Sequence, residues 1–199
     1  MRRLKELIGK TDIYLLDQIL KGRFLPQHRI LDAGCGTGRN LYWFARNGFS
    51  SLYGIDQNAD RIKKVATDLS FKDVKFSIGK LEKLPYGDDF FDAIVCNAVL
   101  HFAESKEHFF EMVSELWRVL KNQGIIFIRM TNILGLESLV RDVGNGNYLL
   151  PDGTKRFLLT NAIVEEWKAL FPIEWIEPLK TVNVNNERAM STLVLRRLG

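Results

Sequence analysis

The segment Ile30-Leu31-Asp32-Ala33-Gly34-Cys35-Gly36-Thr37-Gly38 restricts the fold more than any other part of the chain. Two β-favouring residues run into glycines at alternate positions, and an apolar stripe of Leu41, Phe44 and Ala45 at helical spacing follows. Glycine tolerates left-handed backbone and lets a ligand come close to the main chain, so the segment reads as a strand, a tight turn and the start of a helix. That helix is expected to stop at Gly48, where a left-handed cap carries no Cβ penalty.

A second acidic position strengthens the reading. Ser51 to Ile55 forms the next strand pattern, and Asp56 follows it about twenty residues after the first turn. In an open α/β sheet, ligands bind outside the carboxyl ends of the strands where the strand order reverses. Asp56 is then placed to accept both hydroxyls of a ribose, and Asp32 to reach a cationic amine through ordered groups. A dinucleotide fingerprint needs a third glycine where this chain has Arg39, a side chain expected to obstruct close helix packing. The spacing therefore favours an adenosine ligand without a pyrophosphate.

Short β-rich runs alternate with helical segments through most of the remaining chain, the pattern of a largely parallel sheet covered on both faces. An amphipathic helix with Ile13, Leu16, Ile19 and Leu20 on one face precedes the first strand and is expected to end at Gly22. Asn58 caps a helix bearing Ile62, Val65, Ala66 and Leu69, and Val74 to Ile78 is a third strand. Phe91 to Cys96 reads as a buried central strand, Ser105 opens a helix, and Ile125 to Ile128 is a fifth strand. The rhythm changes after Thr131: Pro151-Asp152-Gly153-Thr154 looks like the turn of a small hairpin insertion. A helix from about Asn161 to Leu170 and strands at Ile173 to Ile176 and Ser191 to Leu195 complete the chain.

With 199 residues and ordinary apolar and charged fractions, one domain suffices. Within it, 1–27 is an N-terminal helical segment, 28–131 a cofactor-binding core, and 132–199 a lid or insertion with the final strands. No apolar run approaches the ~20 residues that span a bilayer, so no membrane partner and a cytoplasmic location are expected. Cys35 and Cys96 are far apart and lack metal-ligand spacing, so no metal site is expected. The net charge of +4 is spread over Arg2/Arg3, Arg61/Lys63/Lys64, Lys155/Arg156 and Arg196/Arg197, a weak argument for nucleic acid.

Asp32 to Gly38 resembles the D-x-G-C-G-T-G signature of class I S-adenosylmethionine-dependent methyltransferases, and the likeness continues along the chain. Tyr53-Gly54-Ile55-Asp56 is similar to the family's second motif, which implies that Asp56 takes the ribose and Gln57 lies near the adenine. Gly79-Lys80-Leu81-Glu82 through Phe91-Asp92 resembles its third motif, with Lys80 in place of the usual Asp. A carboxylate would accept the adenine amino group and a lysine can only donate, so the backbone of Leu81 and the side chain of Glu82 are the substitutes. Asn97-Ala98-Val99-Leu100-His101-Phe102 resembles the segment flanking the transferable methyl, and Leu120-Lys121-Asn122-Gln123-Gly124 a turn that usually carries proline.

The resemblance covers about residues 28 to 131. It implies a Rossmann-like, seven-stranded, mostly parallel doubly wound α/β sheet with the last strand antiparallel. It also implies that S-adenosylmethionine is held by Ala33, Gly34, Cys35, Gly36 and Gly38 beside the residues already named. Tyr14 is a candidate to close over the cofactor.

His101 is the candidate general base, because an imidazole takes a proton near neutral pH, and Arg129 with Thr131 could bind a polar or anionic acceptor. The Arg156-Phe157 hairpin and Asn183 to Arg188 fall where a lid is expected. A small-molecule acceptor is the leading expectation, given the short insertions. RNA or protein methylation is the first alternative; Asn97-Ala98-Val99-Leu100 lacks the Pro-Pro-aromatic run of base-amino methylating enzymes. A cofactor-binding regulatory module is the second alternative. The sequence leaves the oligomeric state open.

Overall fold

The computed structural model describes residues 6–199, so Arg2, Arg3 and the start of the N-terminal segment lie outside the described residues. Strands β1 (Ile30–Ala33), β2 (Leu52–Asp56), β3 (Lys75–Ile78), β4 (Phe91–Asn97) and β5 (Leu120–Asn132) pair in parallel, in the order β3-β2-β1-β4-β5. Strands β1 and β4 are buried at nearly every position because helices cover both faces. The chain winds outward from β1 to β3, then returns to place β4 on the other side of β1. That reversal opens a crevice beyond Ala33, Asp56 and Asn97.

The antiparallel end of the sheet is more extensive than expected. β11 (Arg188–Arg197) runs antiparallel to β5 along eight register pairs from Ala189↔Asn132 to Arg196↔Ile125. This long ladder extends β5 well beyond Ile125 to Ile128. On its other side β11 pairs with β10 (Lys180–Val184) and, farther along, with β9 (Ile173–Trp175), giving eight strands where seven were expected. The segment expected to form a lid before the last strand is a tight hairpin, with three residues between the paired Val184 and Arg188. Asn185 and Asn186 sit at φ 54 and 57, and the Glu187 amide donates to the Val184 carbonyl at 3.0 Å. Asparagine is among the few non-glycine residues that adopt this mirror-image turn.

One face of the sheet is covered by α4 (Lys106–Val119) and α5 (Asn161–Leu170), where Phe109 stacks on Phe157 at 4.9 Å and meets the edge of Trp167 at 5.5 Å. The opposite face packs α1 (Ile13–Leu20), α2 (Leu41–Arg46) and α3 (Ala59–Ala66), with Leu15, Leu41, Phe44, Ile62 and Val65 in a second cluster. Local chemistry sets the helix starts. Asp12, Asn58, Ser105 and Thr160 each accept a first-turn backbone N–H.

Two helix faces differ from expectation. α1 buries Leu15, Gln18 and Ile19, while Ile13 and Leu20 are 72% and 86% exposed. The Asp12 carboxylate is turned inward onto Arg129, which fixes the rotation of this two-turn helix. α3 stops at Ala66, so Leu69 falls in a following 3₁₀ turn and is exposed while Phe71 takes the buried place.

The insertion folds as a three-stranded sheet of β6 (Arg141–Asp142), β7 (Asn147–Leu149) and β8 (Lys155–Phe157), with the expected turn at 151–154. Asn147 ties it to the loop after β4 by donating to the Ala103 and Glu104 carbonyls at 3.2 and 2.9 Å. The Thr131 hydroxyl ties it to β5 by donating to the Phe157 carbonyl at 3.0 Å. It is therefore docked over the carboxyl ends of the sheet.

Candidate active site

Three left-handed glycines shape the turn after β1: Gly34, Gly36 and Gly38 lie at φ 77, 55 and 77. A Cβ on Gly34 would stand 2.3 Å from Val99, and one on Gly38 would stand 2.9 Å from both Val65 and Phe71. Gly38 thus supplies the close helix approach. Arg39 is exposed and stays outside the helix–sheet interface, so the expected obstruction does not occur; the packing role falls one position earlier. Gly36 donates its amide to Oδ2 of Asp56 at 2.9 Å, and Oδ1 accepts from the Asn58 amide at 2.9 Å. Asp56 is buried with both oxygens oriented by backbone, which locks the ends of β1 and β2 into one rim.

Two cavities open along that rim. The first, of about 200 Å³, is bordered by Gly34, Asp56, Gln57 and the Lys80-Leu81-Glu82 segment. Lys80 points outward and pairs with Glu82 at 3.3 Å, and His108 approaches Glu82 from α4 at 3.6 Å. Burial pushes the Glu82 carboxyl up, but its own backbone N–H, Lys80 and His108 together hold it below its usual range. An ionised acceptor is thereby kept where the family's aspartate is missing. His108 and Met112 on α4 and Arg61 on α3 also border this cavity. The sequence reading did not single them out for the site, since they look like ordinary positions on amphipathic helices.

The second cavity, of about 680 Å³, lies toward the insertion and the β10–β11 hairpin. Asn97, His101, Arg129 and Thr131 border it from the sheet side, Arg156 and Arg188 from the opposite side. Ala98 and Phe102 line both cavities and form the partition between them. Ala98 adopts φ 62, a backbone state that costs a non-glycine residue roughly 1–2 kcal/mol, held by its amide donating to the Arg129 carbonyl at 2.7 Å. Its small side chain keeps the partition thin.

The ends of β1 and β4 contain unsatisfied polar atoms. Among the described residues neither oxygen of Asp32 has a hydrogen-bond partner, and the Asn97 amide has none at either end. Burial, offset in part by Arg39 and reinforced by Asp56, pushes the Asp32 carboxyl up to about 7. Buried polar groups are almost always paired in native proteins, so these atoms are candidates to meet ligand groups.

Other sequence expectations divide. Gln57, Lys80, Leu81, Glu82 and Ala98 border the smaller cavity, and Asn97 borders the larger one. Ala33 and Cys35 are buried in the hydrophobic clusters and border neither cavity. Tyr14 also borders neither; its ring lies under the Arg129 guanidinium at 4.5 Å, and Arg129 pairs with Asp12 at 3.0 Å. Phe157 is fully buried against Phe109, so of that hairpin pair only Arg156 faces the cavity. His101 is buried, and desolvation together with Arg156 and Arg188 pushes its imidazole down to about 4, so it stays neutral near pH 7 and is a weak base there. The acidic residues Asp152 and Glu187 and the cation Arg188 complete the cavity. Arg188 reaches it because the Asn-Asn turn folds it back.

A methyltransferase-domain family model matches residues 31–128. An uncharacterized protein of Methanocaldococcus jannaschii is 35% identical over 123 residues, covering 62% of this chain and 52% of its own length. An uncharacterized methyltransferase of Bacillus subtilis, YcgJ, is 28% identical over 149 residues, covering 73% and 55%. This chain thus spans about half the length of these curated relatives. A Methanosarcina mazei structure described as a SAM-dependent methyltransferase superposes with a TM-score of 0.74 at 19% identity, covering 90% of this chain and 97% of that one.

Proposed function

This chain belongs to the class I S-adenosylmethionine-dependent methyltransferases, and from that premise we propose that it transfers the cofactor's methyl group to a small-molecule acceptor held in the larger cavity. The observation that carries this reading is the thin partition at Ala98 and Phe102 between two cavities of different character. A donor on one side and an acceptor on the other would meet directly, beside Ala98, where the two cavities adjoin.

The residues present fit the cofactor. Asp56 is preoriented for the ribose hydroxyls, and Gln57, the Leu81 backbone and ionised Glu82 suit the adenine edge. The partnerless Asp32 carboxyl suits the ammonium of the methionine portion, and Asn97, on the larger cavity, lies where that portion would approach the acceptor. When bound, S-adenosylmethionine supplies a methyl on a sulfonium; the carbon–sulfur bond breaks with its electron pair left on sulfur, and the new bond uses a lone pair of the acceptor.

The chain's own residues then align and desolvate. Proximity in such a site supplies ~7 kcal/mol or more of the barrier. The insertion, tied down by Asn147 and Thr131, walls the larger cavity on the side opposite the sheet. His101, neutral near pH 7 and bordering the larger cavity, is placed to orient the acceptor. Any proton on the accepting atom then leaves to water.

Calorimetry with S-adenosylmethionine, followed by detection of S-adenosylhomocysteine across thiols, amines, carboxylates and RNA, tests the proposal. Binding with turnover on small molecules is expected. Lack of binding at ~1 mM removes the proposal, and binding without turnover on any class leaves a cofactor-sensing module.

A further inference from the structure

Four arginines face the larger cavity against two carboxylates, and they are not equivalent. Arg129 is committed to Asp12 and to the Tyr14 ring. Arg188 is committed to Asp152, which accepts from both its Nε and its Nη2. Asp152 is in turn fixed by the Thr154 amide and hydroxyl at 2.9 and 2.6 Å. Arg39, at the glycine turn beside Asp32, also borders the larger cavity and among the described residues has no carboxylate within ion-pair distance and no aromatic ring beneath its guanidinium. Arg156 differs from Arg129 and Arg188 in lacking an ion pair, and from Arg39 in being held on an aromatic face.

Among the described residues Arg156 has no carboxylate within ion-pair distance. Its one hydrogen bond runs from Nη1 to the neighbouring Lys155 carbonyl, and its guanidinium lies 4.8 Å above the Phe102 ring. Phe102 is the partition residue, so the ring holds this free cation at the junction of the two cavities. Stacking on an aromatic face fixes the plane of a guanidinium while leaving its outer N–H edge available for a planar oxyanion. The other carboxylate of the cavity, Glu187, accepts instead from Asn185 at 3.2 Å.

We propose that the acceptor is a small anion, carrying a carboxylate or phosphate group that Arg156 binds through its outer edge while Phe102 holds the guanidinium in place. This rests on the methyltransferase reading and names its substrate class. The anionic group anchors the molecule at β8, and its nucleophilic atom projects toward Ala98 beside His101. The neutral imidazole suits this arrangement: a protonated His101 would compete with Arg156 for the anion. The lowered imidazole value, caused after burial by Arg156 and Arg188, reports the positive field into which such an anion would enter.

The test uses the full chain saturated with S-adenosylhomocysteine and, at constant ionic strength, calorimetric titration with three probes: benzoate, inorganic phosphate and the neutral isostere benzamide. At least one of the two anions is expected to bind measurably and benzamide to bind at least tenfold more weakly, the size of one lost charged hydrogen bond. Preference for benzoate or for phosphate distinguishes the two anion types. Arg156→Gln should lower the anion's affinity by about tenfold or more, and Arg156→Lys should restore part of it, with S-adenosylhomocysteine affinity unchanged in both. Equal binding of benzoate and benzamide, no binding of either anion, or full anion affinity in Arg156→Gln overturns the proposal. Because cofactor affinity is measured on the same samples, its loss in the unaltered chain would instead remove the methyltransferase reading.

Discussion

The Gly36 amide and the Asp56 carboxylate, twenty residues apart, meet at 2.9 Å and join the turn after β1 to the end of β2. The same carboxylate accepts from Asn58 at the start of α3. Asp56 therefore has a structural task besides the ribose contact proposed for it. Asp56→Ala should reduce S-adenosylmethionine affinity by roughly tenfold to a hundredfold, since a hydrogen bond to a charged group is worth about 1.5–3 kcal/mol. It should also lower the melting temperature by a few degrees. Calorimetry and thermal unfolding on one preparation read both effects, and unchanged affinity would remove the ribose assignment.

Asp32 gives a pH signature. Its folded-state value of about 7 lies above the ordinary carboxylate range, so the folded chain holds a proton that the unfolded chain has already released. Between about pH 4 and 7 the unfolded state is then favoured progressively as pH rises, at roughly 1.4 kcal/mol per unit of displacement. Asp32→Asn cannot ionise, so its stability advantage over the unaltered cofactor-free chain should grow through this interval and level off above pH 7. The same variant should lose cofactor affinity. A stability difference independent of pH would show that the Asp32 carboxyl is not buried without a partner.

The glycines of the first turn should not respond alike to alanine. Gly34→Ala drives a methyl into Val99 at 2.3 Å, and Gly38→Ala meets Val65 and Phe71 at 2.9 Å, both at φ 77. Gly36→Ala meets nothing within 4 Å among the described residues. Urea unfolding should find about 1–2 kcal/mol lost at Gly36, the backbone penalty alone, and at least ~1 kcal/mol more at Gly34 and Gly38 from the added overpacking. Equal losses at the three sites would contradict the packing described.

Arg129 is predicted to act on stability ahead of substrate. Arg129→Met leaves the Asp12 carboxylate buried and unpaired, a change that costs about 3–5 kcal/mol for a fully buried pair and less here because Arg129 is partly exposed. Adding Asp12→Asn should restore a large part of the loss. If the double variant is as unstable as the sum of the two single variants, the ion pair carries no coupling.

The glycine spacing and Asp56 together disclosed the crevice, because strand ends and turn glycines are local features written into a few adjacent residues. Asn58, Ser105, Gly22 and Gly48 likewise marked helix ends through local hydrogen bonding or left-handed backbone. Which face α1 buries was not legible, since Asp12 chooses it by pairing with a residue 117 positions away. β10 is not legible as a strand because its edge position leaves Lys180 and Val184 exposed and masks the alternation of a half-buried strand. The Asn185-Asn186 pair was a usable hairpin signal that went unread.

By itself the sequence determined the strand-turn-helix elements and the positions at the ends of β1, β2 and β4, all set by hydrophobic period and by residues that act within a turn. Only the tertiary structure decided which charges are free. Arg129, Arg156 and Arg188 are the same residue type in the sequence; folding brings Asp12 to the first and Asp152 to the last, and lays the Phe102 ring beneath Arg156. Charge pairing depends on distances of a few ångströms between residues far apart in the chain, and those distances exist only after the sheet and its insertion have packed.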